Sequence, residues 1–220
     1  MALLLTCMFG GNQVASKIAL DTFPPLLCGA WAFSLATLSL GIYAQRRRVQ
    51  LCPPSRQVWA YHARSALLFL GFNAVALVGL QLTLASRASI FIALHPFFVI
   101  IFNQLIRRDE RIGPGQLVGL ALATVGVLLV LSDRLQGDVG TSGAGDGLLL
   151  LSAALLGLSI LQIRQVTHYV SALQATFWQI GLTVPAFWIG SLLLEAPLRL
   201  SYNLLPWTGI IYMGLGNYSG

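Results

Sequence analysis

Charged side chains are scarce in this sequence of 220 residues. Lys and Arg number 13 and Asp and Glu number 7, so 9% of the chain is charged, against roughly 25% in an ordinary soluble domain. The apolar share of 56% leaves too little polar surface to cover a soluble globule, and it is too high for a disordered chain. The shortage of charge excludes a water-soluble protein and indicates that a lipid bilayer surrounds most of the chain.

Cysteine is also scarce, and the motifs of several enzyme classes are absent. Cys7, Cys28 and Cys52 form no CxxC pair, so neither a disulfide framework nor a metal site is expected. No P-loop is present to bind nucleotide. The string Gly143–Asp146 fits the GxGD pattern of intramembrane aspartyl proteases, but the second aspartate that this chemistry needs is missing from the apolar runs. The sequence therefore predicts a protein that is not an enzyme and needs no cofactor.

Uncharged runs that are long enough to cross a bilayer recur along the chain. A helix that crosses about 30 Å of hydrocarbon needs roughly 20 residues without a stranded charge. The first run has no basic lead and seven more follow it, so it is expected to be a helix of the mature protein rather than a signal peptide. The predicted spans are 2–19, 25–44, 64–85, 88–106, 113–132, 147–165, 172–194 and 204–219. The predicted fold class is all-α, a polytopic membrane helix bundle.

Basic residues divide unequally between alternate loops. With the N-terminus inside, the Lys and Arg residues of the inner loops are Arg46, Arg47, Arg48, Arg56, Arg64, Arg107, Arg108, Arg111 and Arg164. Those on the outer side are Lys17, Arg87, Arg134 and Arg199. Because basic short loops stay cytoplasmic, we expect a multi-pass protein of the cytoplasmic (inner) membrane with its N-terminus inside. The net charge of +6 is then explained by orientation and by membrane lipid, and no nucleic-acid partner is expected.

A polar stretch rich in Gly and Ser divides the chain after the fifth span. Residues 133–146 are predicted to be an outer linker between a first repeat of five helices at 1–132 and a partial second repeat of three helices at 147–220. A shift of 147 residues aligns Trp31 with Trp178, together with several apolar positions. Since five is odd, the second repeat would cross the membrane in the opposite direction. Inverted repeats are the architecture of secondary transporters.

Polar side chains within the spans are the candidates for a substrate path, because an unsatisfied polar group is costly in hydrocarbon. Asn12 follows two glycines and either lines this path or bonds to a neighbouring helix in a packing notch. Lys17 either extends to the interface or attracts an anionic group. Trp31 and Trp178 either form aromatic walls or face lipid. The predicted substrate-binding residues are Asn12, Trp31, Gln81, Ser89, His95, Asn103, Trp178 and Gln179.

The fourth span carries the most informative local chemistry, which is His95 followed by Pro96. Pro96 has no backbone donor and its ring clashes one turn back, so the carbonyl of Ile92 should lose its helix partner and the helix should kink. His95 is the ionisable group deepest in any predicted span, and it is the candidate for proton coupling because imidazole titrates near physiological pH. The alternative is a neutral ring bonded to a neighbouring helix. His62 and His168 are predicted to be solvated near the inner loops.

The fifth span carries a stripe of small residues, formed by Gly115, Gly119, Ala123 and Gly126. Such a stripe permits close helix contact. The contact would be made either with another helix of this chain or with a second copy in a homodimer.

Together these motifs resemble the drug/metabolite transporter superfamily in its EamA-like branch. The matching strings are Ala85–Ser89, His95-Pro96, Asp109–Arg111, Gly115–Gly119 and Ala123–Val127. The opening Phe9–Asn12 is similar to the Trp-Gly-x-Asn opening of the family with Phe for Trp, and Asp109 stands where Gly is usual. The likeness covers nearly the whole chain and is specific as a pattern, but it carries almost no information about substrate.

The resemblance implies ten helices in two inverted five-helix repeats around a central cavity that opens to alternate sides. It implies movement of small metabolites, often outward, coupled to protons or to exchange rather than to ATP. Eight helices are predicted here, so we expect a truncated chain that lacks the ninth and tenth. The expected function is secondary transport, as an exporter of a small-molecule metabolite. The alternative is a non-transporting membrane scaffold or subunit, or an inactive fragment.

Overall fold

The computed structural model describes residues 2–53, 55–107, 143–195 and 204–216, with isolated positions between 113 and 126. These residues are arranged in helices and contain no strand, which confirms the predicted all-α bundle. The helices are α1 (Ala2–Leu20), α2 (Pro25–Arg46), α3 (Arg56–Gln81), α4 (Ala85–Ile92), α5 (His95–Phe102), α6 (Gly143–Thr167), α7 (Ala172–Gly181), α8 (Thr183–Leu194) and α9 (Leu204–Ile211). Short π-helical segments, Asn103–Arg107 and Tyr212–Gly216, extend α5 and α9.

Five segments within the described ranges are long and apolar enough to cross a membrane. They are Pro25–Arg46, Arg56–Gln81, Ala85–Ile106, Gly143–Thr167 and Ala172–Leu194. Large apolar side chains on these segments are exposed, including Leu67 at 67%, Leu193 at 77% and Leu194 at 81%. Contiguous exposure of this kind is unfavourable in water and suits a surface that faces acyl chains. The protein is therefore a multi-pass membrane protein.

Two helix boundaries differ from the prediction. α3 begins at Arg56 rather than near residue 64, because the exposed Arg56 and Arg64 side chains are tolerated on its first turns. Ser55 caps this helix, since its hydroxyl accepts a hydrogen bond from the backbone N–H of Val58 at 3.3 Å. α6 begins at Gly143, inside the predicted linker. Residues 133–142 and most of the fifth span lie outside the described residues.

Two predicted spans are each broken into two helices. α4 ends at Ile92 and α5 begins at His95, at the place where Pro96 removes a backbone donor. α7 ends at Gly181 and α8 begins at Thr183, two residues before Pro185. The second break was not predicted, although Pro185 gives the same signal as Pro96.

Close contacts at glycines show that three helix pairs run antiparallel. α2 packs against α7 and α8, with Gly29 facing Phe187 and Gly41 facing Phe177. α3 packs against α6, and α1 packs against α9. The glycine contacts of these two pairs are Gly71 with Leu155, Gly79 with Leu149, Gly11 with Tyr212 and Gly209 with Ala15. An inverted repeat requires antiparallel pairs of this kind, and the repeat itself stays a prediction.

The helix ends form two chemically different surfaces. The "basic end" is the end that contains the α2–α3 loop, the start of α3 and the start of α7. Its exposed arginines are Arg46, Arg47, Arg56, Arg64 and Arg164. The "opposite end" contains the α1–α2 and α3–α4 loops and the start of α6. Between the ends lies an apolar core in which Phe33 contacts Phe69 and Phe187, with ring centroids 5.6 and 5.0 Å apart.

The small-residue stripe of the fifth span makes no close contact where it is described. A Cβ added at Gly115, Gly119 or Gly126 would meet nothing within 4 Å. Ala123 lies outside the described residues. Contact of this stripe with a second copy of the chain stays a prediction.

Candidate functional site

Lys17 joins α1 to the end of α3. Its ammonium donates hydrogen bonds to the carbonyls of Leu80 at 2.9 Å, Gln81 at 3.3 Å and Thr83 at 2.8 Å. Carbonyls at a helix C-terminus lack partners within the helix and carry partial negative charge, so a cation there is stabilising. The structure thus gives Lys17 a role that the sequence does not predict, because it caps a neighbouring helix. Gln81 takes part only through its backbone, and its side chain is exposed.

A buried ion pair ties the start of α4 to the start of α6. The guanidinium of Arg87, which is 5% exposed, donates to Asp146 at 3.0 Å. The hydroxyl of Thr83 donates to the other carboxylate oxygen at 3.3 Å. Asp146 also lies in the first turn of α6, where negative charge is favourable. The GxGD string is therefore a structural link between the two halves of the chain.

Glu195 links the end of α8 to the start of α2, also at the opposite end of the bundle. Its two carboxylate oxygens accept hydrogen bonds from the backbone N–H groups of Leu26 at 2.6 Å and Leu27 at 2.9 Å. Pro24 precedes α2 and offers no side-chain cap, so Glu195 supplies the cap from a distant part of the chain.

Trp31 lies in an aromatic cluster near the opposite end. Its ring centroid is 5.3 Å from that of Trp188 and 5.5 Å from that of Trp207, and Trp207 also contacts Phe23 at 5.2 Å. Trp188 donates its indole N–H to the hydroxyl of Ser34 at 3.2 Å. The buried indole nitrogen of Trp31 has no hydrogen-bond partner within the described part of the chain.

Asn12 presents a second unpaired atom near α9. Its Oδ1 atom is buried and has no partner among the described side chains and backbone groups. The preceding Gly11 faces the hydroxyl of Tyr212. Asn12 and Trp31 thus lie on two helices, α1 and α2, that contact α9 or its π-helical extension, each with one unsatisfied polar atom.

Trp178 lies at the basic end, far along the bundle from Trp31. Its ring is 4.5 Å from that of Trp59, and its indole N–H donates to the backbone carbonyl of Leu51. The amide of Gln174 donates to the same carbonyl at 3.3 Å. Trp31 and Trp178 therefore each contact other aromatic rings. They lie at different ends of the bundle, so they do not line one wall of a cavity together.

Gln179 and Ser89 are engaged in local hydrogen bonds. The buried Gln179 amide donates to the hydroxyl of Ser159 at 3.0 Å, which links α7 to α6. Ser89 donates to the carbonyl of Ala85 on its own helix at 2.9 Å. Asn103 is half-buried and begins the π-helical segment after α5.

The imidazole of His95 occupies the gap that opens next to Pro96. Its Nδ1 lies 2.9 Å from the carbonyl of Ile92, the group that loses its helix partner at the proline. A carbonyl only accepts hydrogen bonds, so we assign the proton to Nδ1. The His95 side chain thus supplies a hydrogen bond to the carbonyl that has lost its helix partner.

The predicted site residues therefore do not meet in one cluster. Asn12 and Trp31 lie beside α9, Trp178 lies at the basic end, and His95 lies at the α4–α5 break. The prediction for His62 is wrong, because this side chain is 0% exposed instead of solvated. Further buried polar side chains were missed, although a polar residue inside an apolar run was a signal for each. They include Ser65 and Asn73, and Gln162 is half-buried with a buried Nε2 atom.

Residues 1–132 match the family model of the EamA-like transporter family. The chain belongs to the EamA-like transporter family. This membership agrees with the resemblance seen in its motifs, and it assigns the antiparallel bundle described above to a transporter. Because the family is one of transporters, the prediction that the chain is not an enzyme is supported at the level of the family.

Two of the curated relatives match almost the whole chain. The chain is 26% identical over 215 residues to a probable amino-acid metabolite efflux pump of Escherichia coli strain K12, which covers 93% of this chain and 67% of that protein. It is 26% identical over 213 residues to a protein of the same description from Salmonella typhimurium, with the same coverage. An uncharacterized transporter of Bacillus subtilis, YyaM, is 27% identical over 142 residues, which is 64% of this chain and 45% of that one.

A solved crystal structure shares the fold. It matches with a TM-score of 0.65 at 17% sequence identity, and the match covers 99% of this chain and 76% of that chain. At this identity the likeness concerns the helical architecture alone.

Proposed function

We propose that this transporter is a secondary exporter of a small amino-acid metabolite, acting by alternating access in the cytoplasmic membrane. The descriptions of the two relatives that cover 93% of the chain support the direction and the substrate class. The arginines of the basic end support an orientation in which that end and the N-terminus face the cytoplasm. In alternating access the binding site opens to one side of the membrane at a time. A substrate that binds the outward-open and inward-open states with different free energies shifts their populations.

The observation that carries this proposal is the pair of unsatisfied buried atoms on α1 and α2, the helices that contact α9 and its π-helical extension. Asn12 Oδ1 and Trp31 Nε1 have no hydrogen-bond partner in the described residues. A buried polar group without a partner destabilises the fold by about 1–3 kcal/mol. A membrane scaffold has no use for two such groups. A path that water or substrate enters would satisfy both atoms.

Proton coupling is assigned to His95 within this proposal. The Nδ1 atom of His95 lies 2.9 Å from the carbonyl of Ile92, inside the interrupted part of the fourth span. The break at Pro96 gives the fourth span a joint at the same place. Protonation of the ring would therefore act on the segment that is already interrupted.

Reconstitution of the full-length gene product tests the proposal. Vesicles carrying a pH gradient are loaded with labelled amino acids and their metabolites, and efflux is followed with and without the gradient. We expect gradient-dependent efflux of at least one compound, and loss of the gradient dependence in His95→Ala. His168→Ala is the matched control, because His168 is exposed. Full gradient-dependent efflux after His95→Ala would contradict the coupling role.

A further inference from the structure

Three polar side chains at the basic end, two of them fully buried, take no part in the contacts above. His62 is 0% exposed and Ser65 is 1% exposed. Neither ring nitrogen of His62 nor the hydroxyl of Ser65 has a hydrogen-bond partner in the described ranges, and the same is true of the buried Nε2 atom of Gln162. Buried polar groups in folded proteins are normally paired, so three neighbouring exceptions point to a ligand or to water.

The packing of α3 on α6 places these side chains together. His62 and Ser65 are three residues apart on one helix, so they lie on the same face of α3. Gly71 of α3 faces Leu155 of α6, and the two helices run antiparallel. Six residues before Gly71 is Ser65, and seven residues after Leu155 is Gln162. Ser65 and Gln162 therefore lie at the same level of facing helices.

The cluster is rich in hydrogen-bond donors. A neutral imidazole offers one N–H, the serine hydroxyl offers one O–H, and the glutamine amide offers two N–H groups. The helices that form this part of the bundle, α2, α3 and α7, contain no Asp or Glu, and the single acidic residue of α6, Asp146, lies at the opposite end. A set of donors on helices that carry no Asp or Glu at this end suits a carboxylate, because hydrogen bonds to a charged acceptor are the strong ones.

Two tryptophans adjoin this donor set. The ring centroid of Trp59 is 6.4 Å from that of His62, and Trp59 contacts Trp178 at 4.5 Å. The hydrogen bond from Trp178 to Leu51 fixes the orientation of its indole. Indole faces attract ammonium groups within about 6 Å. Donors for a carboxylate and aromatic faces for an ammonium thus lie side by side.

We propose that His62, Ser65 and Gln162 form a binding site for the carboxylate of an α-amino acid, with Trp59 and Trp178 beside its ammonium. The choice of ligand class rests on the proposed function. The site lies at the basic end, which is the cytoplasmic end under that proposal and the side from which an exporter takes its substrate.

Binding to the purified full-length protein in detergent tests the site. Tryptophan fluorescence is titrated with a panel of natural L-amino acids, and each acid is paired with its carboxamide, which lacks the carboxylate charge. We expect at least one acid to bind and its carboxamide to bind about tenfold more weakly or not at all. Ser65→Ala and Gln162→Leu should each weaken binding of that acid by about tenfold, the equivalent of one charge-assisted hydrogen bond.

A matched control separates binding from stability. Ser152 is a buried serine on α6 whose hydroxyl is satisfied by the carbonyl of Leu149 on its own helix at 2.7 Å, so Ser152→Ala should leave binding unchanged. Removing an unsatisfied hydroxyl costs no hydrogen bond, so Ser65→Ala should melt no lower than the parent in the absence of ligand. A purely structural Ser65 would lower the melting temperature and leave the dissociation constant unchanged.

Three results would overturn the inference. They are carboxamides that bind as well as acids, binding that is insensitive to both variants, and absence of binding for the whole panel. Efflux of a metabolite without a carboxylate, together with no binding of acids, would refute this site and leave the proposed function standing. Ser65-dependent binding of an acid without transport of any compound would refute the proposed function and keep the site.

Discussion

At the scale of single residues, four charged side chains of the opposite end bind other helices. Lys17 caps α3, Glu195 caps α2, and Arg87 pairs with Asp146. Each contact joins segments that are more than fifty residues apart in the sequence. In a membrane protein the hydrophobic effect does little to hold one helix against another, so such polar contacts contribute a larger share of the specific packing.

Replacing Glu195 tests the contribution of one of these caps. Glu195→Ala removes the acceptors for two backbone N–H groups at the start of α2, and loss of a cap costs about 1–2 kcal/mol. We expect a lower apparent melting temperature in detergent. Glu195→Gln keeps one acceptor oxygen and should lie between the parent and the alanine variant. Equal melting of all three proteins would show that the cap does not stabilise the fold.

At the scale of helices, glycines decide how closely the antiparallel pairs approach. A Cβ at Gly209 of α9 would lie 2.5 Å from the backbone carbonyl oxygen of Ala15 and 3.3 Å from the Cβ of Ala19. A backbone atom cannot rotate out of the way as a side chain can. The α1–α9 distance is therefore set by the absence of a side chain at this position.

Gly209→Ala should force α1 and α9 apart. Overpacking of this kind costs about 1–3 kcal/mol, so we expect a lower melting temperature in detergent. Gly147→Ala on α6 is the matched control, because a Cβ there meets nothing within 4 Å. Alanine is favoured over glycine in a helix by up to about 1 kcal/mol, so this control should melt no lower than the parent. A Gly209→Ala protein as stable as the control would contradict the close α1–α9 contact.

The apolar runs predicted the helices well, since a bilayer requires about 20 uncharged residues for each crossing. The predicted start of α3 lies too late because Arg64 is taken as its boundary, whereas basic side chains near a helix end can extend to the interface. The break two residues before Pro185 has the same local signal as the break at Pro96. In contrast, nothing local to Lys17 reveals that the end of α3 is within its reach.

The buried state of His62 was equally hidden. It lies only six residues from the start of α3 and is surrounded in sequence by Tyr61, Arg64 and other polar or aromatic residues. Its burial depends on which helices pack against that turn, and the sequence of one helix does not specify its neighbours. Sequence patterns therefore identified the class of the molecule and several polar candidates, but not how those candidates are grouped.

At the scale of the whole molecule, the separation of the two ends predicts the orientation in the membrane. Cys52 is exposed in the α2–α3 loop at the basic end, whereas Cys28 is buried. In a Cys7→Ala background, we expect an impermeant maleimide to label Cys52 only after the cells are permeabilised. An added Asp21→Cys, at the exposed Asp21 of the opposite end, should be labelled in intact cells. Labelling of Cys52 in intact cells would reverse the proposed orientation.

Solute counterflow tests the central claim, that this bundle carries a small amino-acid metabolite by alternating access. Proteoliposomes containing the full-length gene product are loaded with an excess of unlabelled amino-acid metabolite and diluted into a trace of the labelled compound, with no ion gradient. A carrier exchanges one for the other, so label should accumulate transiently above its outside concentration. For a panel of amino acids and their metabolites, accumulation no greater than in protein-free vesicles would contradict the account.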